Sequence, residues 1–360
     1  MKNLISYDSF DNMSEPLFFG NPMNIQRYDK FQDEFYFKNY LNQVSKFWRP
    51  EEFDLSGRDR SDFNNLNEIE VFIFTQNLKY QILLDSVQAR GIKYLQEYVT
   101  NPELEAAMNA WIFYEQIHSY SYTYIIKNVY SNPGDIFDNI MNDEEIVKRA
   151  TSVTEKYNKL MNMLPEDTIE DKKKILYLTL NSINILEGIR FYVSFACSYS
   201  FAENKKMEGN AKVIKSINRD EALHLALTQR IINTLKTDES QGFVEIAKEC
   251  EPIVYEMFKD AAEEEKQWAE YLFSKGTIWG LNAEILGQYM EYLTNLRLKG
   301  IKMDPIFPKR DNPISWTANW SGDSASKGVQ VAPQEVEITS YVVGQYEQDM
   351  ESTNFKDFKF

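Results

Sequence analysis

The chain contains two histidines, and each stands three residues after a glutamate, in Glu115-Gln116-Ile117-His118 and in Glu221-Ala222-Leu223-His224. Residues three apart on a helix share a face, so each pair aims a carboxylate and an imidazole at one volume, a two-donor offer to a metal ion. A partly exposed helical Glu/His pair is the ordinary alternative for either motif taken alone. The neighbours shift that balance. The stripe Met108, Trp111, Glu115, His118, Tyr122, Ile125 is otherwise apolar or aromatic, as is Ile214, Ile217, Glu221, His224, Thr228, and a charged group on a core-facing stripe is costly unless paired or metal-bound. Two further acids interrupt apolar stripes: Asp85 follows Phe74, Leu78 and Ile82, and Glu187 lies between Leu180, Ile183 and Phe191, Phe195.

Two helices giving one carboxylate each and two giving Glu-x-x-His form the ligand pattern of ferritin-like dinuclear carboxylate sites. Carboxylates and imidazoles without thiolate suit iron or manganese rather than copper or structural zinc. Two divalent ions would offset the charge of Asp85, Glu115, Glu187 and Glu221, which allows these acids to be inside. Tyr122 follows His118 by four residues and so lies on the same face, one turn beyond the ligands. Among 22 tyrosines simple packing is the common role. Here Phe191, Ser194, Phe195 and Ile217 fall at helical spacing from Glu187 and Glu221 and would give the phenol a dry pocket that shields an oxidised form.

The elements that must position these residues are long helices. From Glu68 to about residue 300 apolar positions recur mainly at three and four, with few prolines and no strand alternation. The spacing and the Asn/Pro/Gly punctuation predict helices over 68 to 96, 102 to 130, 144 to 160, 168 to 205, 210 to 236, 243 to 271 and 280 to 297. A first helical zone is expected from Asp29, pausing at Trp48, Arg49 and Pro50, with a polar stretch from Gly57 to Asn65. The expected fold is all-α: a ferritin-like bundle with extra helices over 26–319, an extended N-terminal arm over 1–25 and a flexible C-terminal tail over 320–360.

Composition removes other function classes. A formal charge of −16 without a local basic run argues against nucleic-acid binding. Cys197 and Cys250 are far apart and in apolar surroundings, predicting neither a disulfide framework nor a zinc ribbon. No run of about 18 apolar residues and no leader pattern is visible, so a membrane role is not expected and a cytoplasmic location is.

The segments FWRPEEFDLS, NLKYQILLDS, EQIHSYSYTYI, LEGIRFYVSFACSYSFAE, MEGNAKVIKSINRDEALH and EVEITSYVVGQ resemble the small, radical-generating subunit of class I ribonucleotide reductase along nearly the whole chain. The resemblance implies one metal ion held by Asp85, Glu115 and His118, a second by Glu187, Glu221 and His224, and Glu115 and Glu221 bridging. It implies two iron ions per chain, with manganese an alternative, and O2 for activation. Tyr122 matches the radical-bearing tyrosine and Trp48 the tryptophan on the radical route, linked by Asp220 toward His118. Tyr341 matches the tail tyrosine that hands the radical to the large subunit, and Glu335 the acid that assists it. The terminal NFKDFKF stands where the family's tail docks, and is more basic and aromatic than in many relatives. The retained Tyr122 and six ligand types separate the chain from the manganese/iron and metal-free branches. Expected partners are a second copy of the chain and the large catalytic subunit, and the expected reaction is the reduction of ribonucleotides for DNA replication. Rival readings are another dinuclear-iron oxidase, such as a hydroxylase with its own substrate, or an iron-storage protein without a radical.

Overall fold

A computed structural model describes residues 15–21 and 25–320. Among the described residues there is no β-strand, only isolated bridges such as Phe18 with Val99, and no helix is long and apolar enough to cross a membrane. The helices are α1 (Glu34–Val44), α2 (Arg58–Asn64), α3 (Glu68–Gln96), α4 (Pro102–Val129), α5 (Pro133–Asp138), α6 (Glu144–Met161), α7 (Ile169–Ile185), α8 (Tyr192–Glu203), α9 (Glu208–Thr237), α10 (Val244–Leu272) and α11 (Ala283–Gly300).

Local chemistry sets their ends. Asn67 caps α3 through the amides of Ile69 and Glu70, while Glu70 reaches back to the Asn67 amide in a capping box. Asn101 caps α4, whose first residue is Pro102. Asp143, Thr168 and Asn282 cap α6, α7 and α11 in the same way. The first helical zone begins at Glu34, later than Asp29, because Asp33 is the cap, accepting from the Phe35 amide at 3.0 Å.

Two departures bear on function. The polar stretch from Gly57 to Asn65 contains α2, and its acids are capping groups. Buried Asp59 accepts from the amides of Gly209 at 3.0 Å and Asn210 at 2.5 Å, and Asp62 from that of Met207 at 2.9 Å. They satisfy the otherwise orphaned first amides of α9, whose preceding residue Met207 is left-handed at φ 53°. A Cβ on Gly209 would meet the side chains of Leu55 and Asp59 within 3.0 Å, so only glycine lets α2 approach this closely. The second departure is the helix expected over 168 to 205. It is interrupted by a π-helical turn, Leu186–Arg190, that separates α7 from α8. The Gly188 carbonyl within that turn accepts from Arg297 Nε at 3.0 Å. Such wide turns occur mainly at functional positions in helices.

Helices α3, α4, α9 and α8 pack in a ring, α3 on α4, α4 on α9, α9 on α8 and α8 on α3, with α6, α10 and α11 outside it. The core between them is continuous and rich in aromatics. The last described residue, Trp320, packs with the body: its ring centroid lies 5.3 Å from that of Tyr199, and its N–H donates to Glu203 Oε1 at 2.7 Å. That bond ties Glu203, at the end of α8, to the segment after α11. Of the N-terminal arm, Leu17 and Phe18 are buried, and the Leu17 amide donates to Gln241 Oε1 at 2.8 Å.

One buried acid outside the ring's centre makes the fold pH-sensitive. Glu265 on α10 is fully buried, accepts from Tyr80 Oη at 2.5 Å and lies 3.8 Å from Arg190 Nη1. Burial outweighs these partners and pushes its carboxyl up to about 7. The folded chain therefore binds a proton there that the unfolded chain has lost, and stability falls as pH rises through the interval between the two values. At 1.36 kcal/mol per pKa unit, Glu265→Gln is expected to be more stable than wild type by about 3 kcal/mol at about pH 8. In denaturant titrations that advantage disappears at about pH 4, and a difference that did not change with pH would contradict the assignment.

Candidate metal centre

Three helices of the ring and the π turn that leads into α8 deliver the parts of one cluster. Asp85 comes from α3, Glu115 and His118 from α4, Glu187 from the π turn, and Glu221 and His224 from α9. All six side chains are fully buried. Donor atoms of Glu115, Glu187, Glu221 and His224 lie within 4.8 Å of one another, and so do those of Asp85, His118 and Glu221. Glu221 has one oxygen 3.1 Å from His118 Nδ1 and the other 3.0 Å from His224 Nδ1. Glu115 straddles the same two nitrogens, at 3.9 Å from His118 and 3.4 Å from His224. Two carboxylates thus face both imidazoles, while Asp85 stands with His118, and Glu187 Oε2 is 3.9 Å from His224 Nδ1.

The electrostatics and hydrogen bonding bear on what the cluster can hold. Burial, followed by the charge of Glu221, holds the carboxyls of Asp85, Glu115 and Glu187 well above the usual range. Burial alone would depress the His118 imidazole, but Glu221 and the hydrogen bond to Asp220 raise it well above the ordinary histidine value. Both Asp85 oxygens, Glu115 Oε2 and Glu187 Oε2 are fully buried and make no well-formed hydrogen bond. Buried donors and acceptors are normally paired, and this convergent set of unpaired acceptors fits a pair of divalent cations.

The groups around the cluster orient it. Asp220 Oδ2 accepts from Trp48 Nε1 at 2.7 Å and lies 3.2 Å from His118 Nε2, so one carboxylate oxygen ties the indole to the imidazole. Its other oxygen is held by Arg219, which also donates to the Lys46 carbonyl. This second bond on Nε2 leaves Nδ1 as the ligand atom, the arrangement usual for metal-binding histidines. Tyr122 is fully buried, and its hydroxyl makes no well-formed hydrogen bond. Burial and then the charge of Asp85 keep the phenol protonated. Phe191, Phe195 and Ile217 are buried, Phe191 stacks on Phe195 at 5.7 Å, and the Ser194 hydroxyl donates to Asn77 Oδ1 at 2.8 Å. Tyr341 and Glu335 lie outside the described residues.

The model of the family described as "Ribonucleotide reductase, small chain" matches residues 26–313. The chain belongs to this family. It is 46% identical to the ribonucleoside-diphosphate reductase 1 subunit beta of Salmonella typhimurium over 97% of both chains. It is 46% identical to the ribonucleoside-diphosphate reductase subunit beta of Haemophilus influenzae over 98% of both. Among solved structures, the ribonucleotide reductase R2 subunit from Clostridium botulinum superposes with a TM-score of 0.78 at 30% identity, covering 85% of this chain and 94% of that one. As a member of the ribonucleotide reductase small-chain family, the chain has the ferritin-like fold and is a component of a class I ribonucleoside-diphosphate reductase that works with a large subunit.

Two side chains that touch the ligands escaped the reading of the sequence as functional groups. Trp111 Nε1 donates to Glu115 Oε1 at 2.7 Å, and its ring stacks on His224 with centroids 4.9 Å apart. Its spacing of four before Glu115 is the signal the sequence offers, and it is the same spacing that an apolar stripe would give. Gln88 Nε2 donates to Glu187 Oε1. Gln88 stands three residues after Asp85 and so shares its face, a position where an amide was open to notice.

Proposed function

We propose that the chain binds two iron ions, one on Asp85, Glu115 and His118 and the other on Glu187, Glu221 and His224, and stores one oxidising equivalent on Tyr122. The observation that carries this reading is that Glu115 and Glu221 each reach toward both imidazoles, with Tyr122 buried one turn further along α4. The donor set suits iron and manganese alike, and a retained tyrosine at this place favours iron. When bound, the ions supply the O2-dependent one-electron oxidation that the side chains themselves cannot perform.

The chain's own residues then do the following. Because the Tyr122 phenol is held protonated, its oxidation gives up a proton together with the electron, and Asp85 is the group placed to take the proton from Oη. Phe191, Phe195 and Ile217 exclude water from the phenol, and Ser194, committed to Asn77, presents no free hydroxyl. Asp220 keeps Trp48 and His118 in fixed register through one shared oxygen. The stored equivalent travels by way of Trp48 and tail residue Tyr341, with Glu335 assisting proton movement, to the large subunit, where ribonucleotides are reduced. Residues 26–319 form the metal-binding body, and 320–360 the segment that docks. The body pairs with a second copy of itself, and its location is the cytoplasm, where the buried, unpaired Cys197 and Cys250 remain thiols.

A chain ending at residue 340 tests the tail's part. It is expected to bind metal and form the Tyr122 radical as the full chain does, while reductase activity with the large subunit falls to background. Activity retained by the shortened chain would contradict the role of Tyr341 and the residues after it.

A further inference from the structure

The two oxygens of Glu187 keep different company. Oε1 accepts from Gln88 Nε2, whereas Oε2 faces into the cluster, 3.9 Å from His224 Nδ1. Gln88 is itself fully buried, and its carbonyl Oε1 accepts from the Tyr157 hydroxyl of α6 at 2.5 Å. An amide can present either end, and here the chemistry selects one. With the amide reversed, its carbonyl would stand against the Glu187 carboxylate, acceptor against acceptor; with the Tyr157 O–H on the carbonyl, the NH2 must face Glu187. The backbone is built for this contact. A Cβ on Gly91, one turn after Gln88, would come within 2.6 Å of the Tyr157 ring, so only glycine there lets the phenol cross α3 to reach Gln88.

We propose that Tyr157 and Gln88 form a latch on Glu187 that holds Oε1 away from the metal, so that Glu187 attaches through Oε2 alone. The π turn gives Glu187 a backbone distinct from the other ligands, which sit on regular helix. The latch supplies the matching restraint at the side chain. Tyr157 and Gln88 are positioning residues that act through Glu187. The inference rests on the two-metal reading above and adds to it a control on one particular ligand.

The test uses Mn(II) alone as the probe, added to the metal-free full chain, with free ion counted by EPR and the visible spectrum of the Co(II)-loaded chain recorded in parallel. Wild type is expected to bind two ions per chain. Gln88→Ala removes the donor, and one of the two ions is expected to weaken by about 10-fold, the lower range for loss of a group behind a ligand, while the other is unchanged. Tyr157→Phe keeps the ring against Gly91 and deletes only the hydroxyl. It is expected to shift the same ion in the same direction by less, and it carries the test if Gln88→Ala fails to fold. In both variants the Co(II) visible band should lose intensity as Glu187 adopts two-oxygen attachment and coordination number rises. Unchanged affinities and an unchanged Co(II) spectrum in both variants would overturn the latch. So would equal weakening of both ions, which is the mark of a packing defect. Failure of wild type itself to bind two ions would instead overturn the two-metal reading.

Discussion

Tyr122→Phe is expected to abolish reductase activity with the large subunit while leaving the protein folded and loaded with two metal ions. The hydroxyl is fully buried and faces the Asp85 carboxylate without a well-formed hydrogen bond between them. Deleting this poorly paired buried hydroxyl gives up little and removes a group that burial disfavours. The unfolding free energy should stay within about 1 kcal/mol of wild type. The ring remains to fill the core, and Asp85 is the one ligand that loses a neighbour. Phenylalanine is far harder to oxidise than tyrosine and has no phenolic proton to release, so the one stored equivalent is gone. Metal content, thermal unfolding and turnover, measured on the same preparation, check the expectation. Turnover comparable to wild type would remove Tyr122 from the mechanism, and loss of metal together with turnover would make it a structural residue.

The second large effect is expected at Glu221. Its two oxygens are 3.1 Å from His118 and 3.0 Å from His224, so one side chain serves both halves of the cluster. Glu221→Ala should therefore lose both ions, with occupancy under one metal per chain even in excess Fe(II) or Mn(II). Glu187→Ala is the contrast. Glu187 lies 3.9 Å from His224 and belongs to that half only, so its loss should leave the Asp85–Glu115–His118 half able to hold one ion. Metal counting by elemental analysis after desalting distinguishes the two. Equal stoichiometry in the two variants would contradict the shared position of Glu221.

How much of this was legible in the sequence follows from the range of the interactions. The paired Glu-x-x-His motifs and the lone acids on apolar stripes are properties of single helices, and all six residues converge as their spacing implied. The helix starts at Glu68, Pro102 and Glu144 were readable because their caps, Asn67, Asn101 and Asp143, are neighbours in sequence. Helix α2 was not, because Asp59 and Asp62 spend their carboxylates on amides some 150 residues away, and from the sequence they read as solvated polar residues. The π turn was hidden for another reason. One wide turn in an apolar run leaves the three-and-four pattern on each side intact, and it is the Arg297 bond to the Gly188 carbonyl and the packing of Glu187 that reveal it. Trp111 and the Tyr157–Gln88 pair belong to the same class: their hydrogen bonds are satisfied by ligands or by another helix, and composition carries no trace of that. Tyr341 and Glu335 were named from resemblance alone, and the described residues end before them.

The most direct measurement is the EPR spectrum of the metal-free full chain after addition of Fe(II) and O2, recorded for protein made with ordinary tyrosine and with ring- or β-deuterated tyrosine. The expected result is a stable tyrosyl signal whose hyperfine splitting collapses with the label and which is absent in Tyr122→Phe. A chain that binds two irons and consumes O2 yet shows no tyrosine-derived radical in either preparation would contradict it.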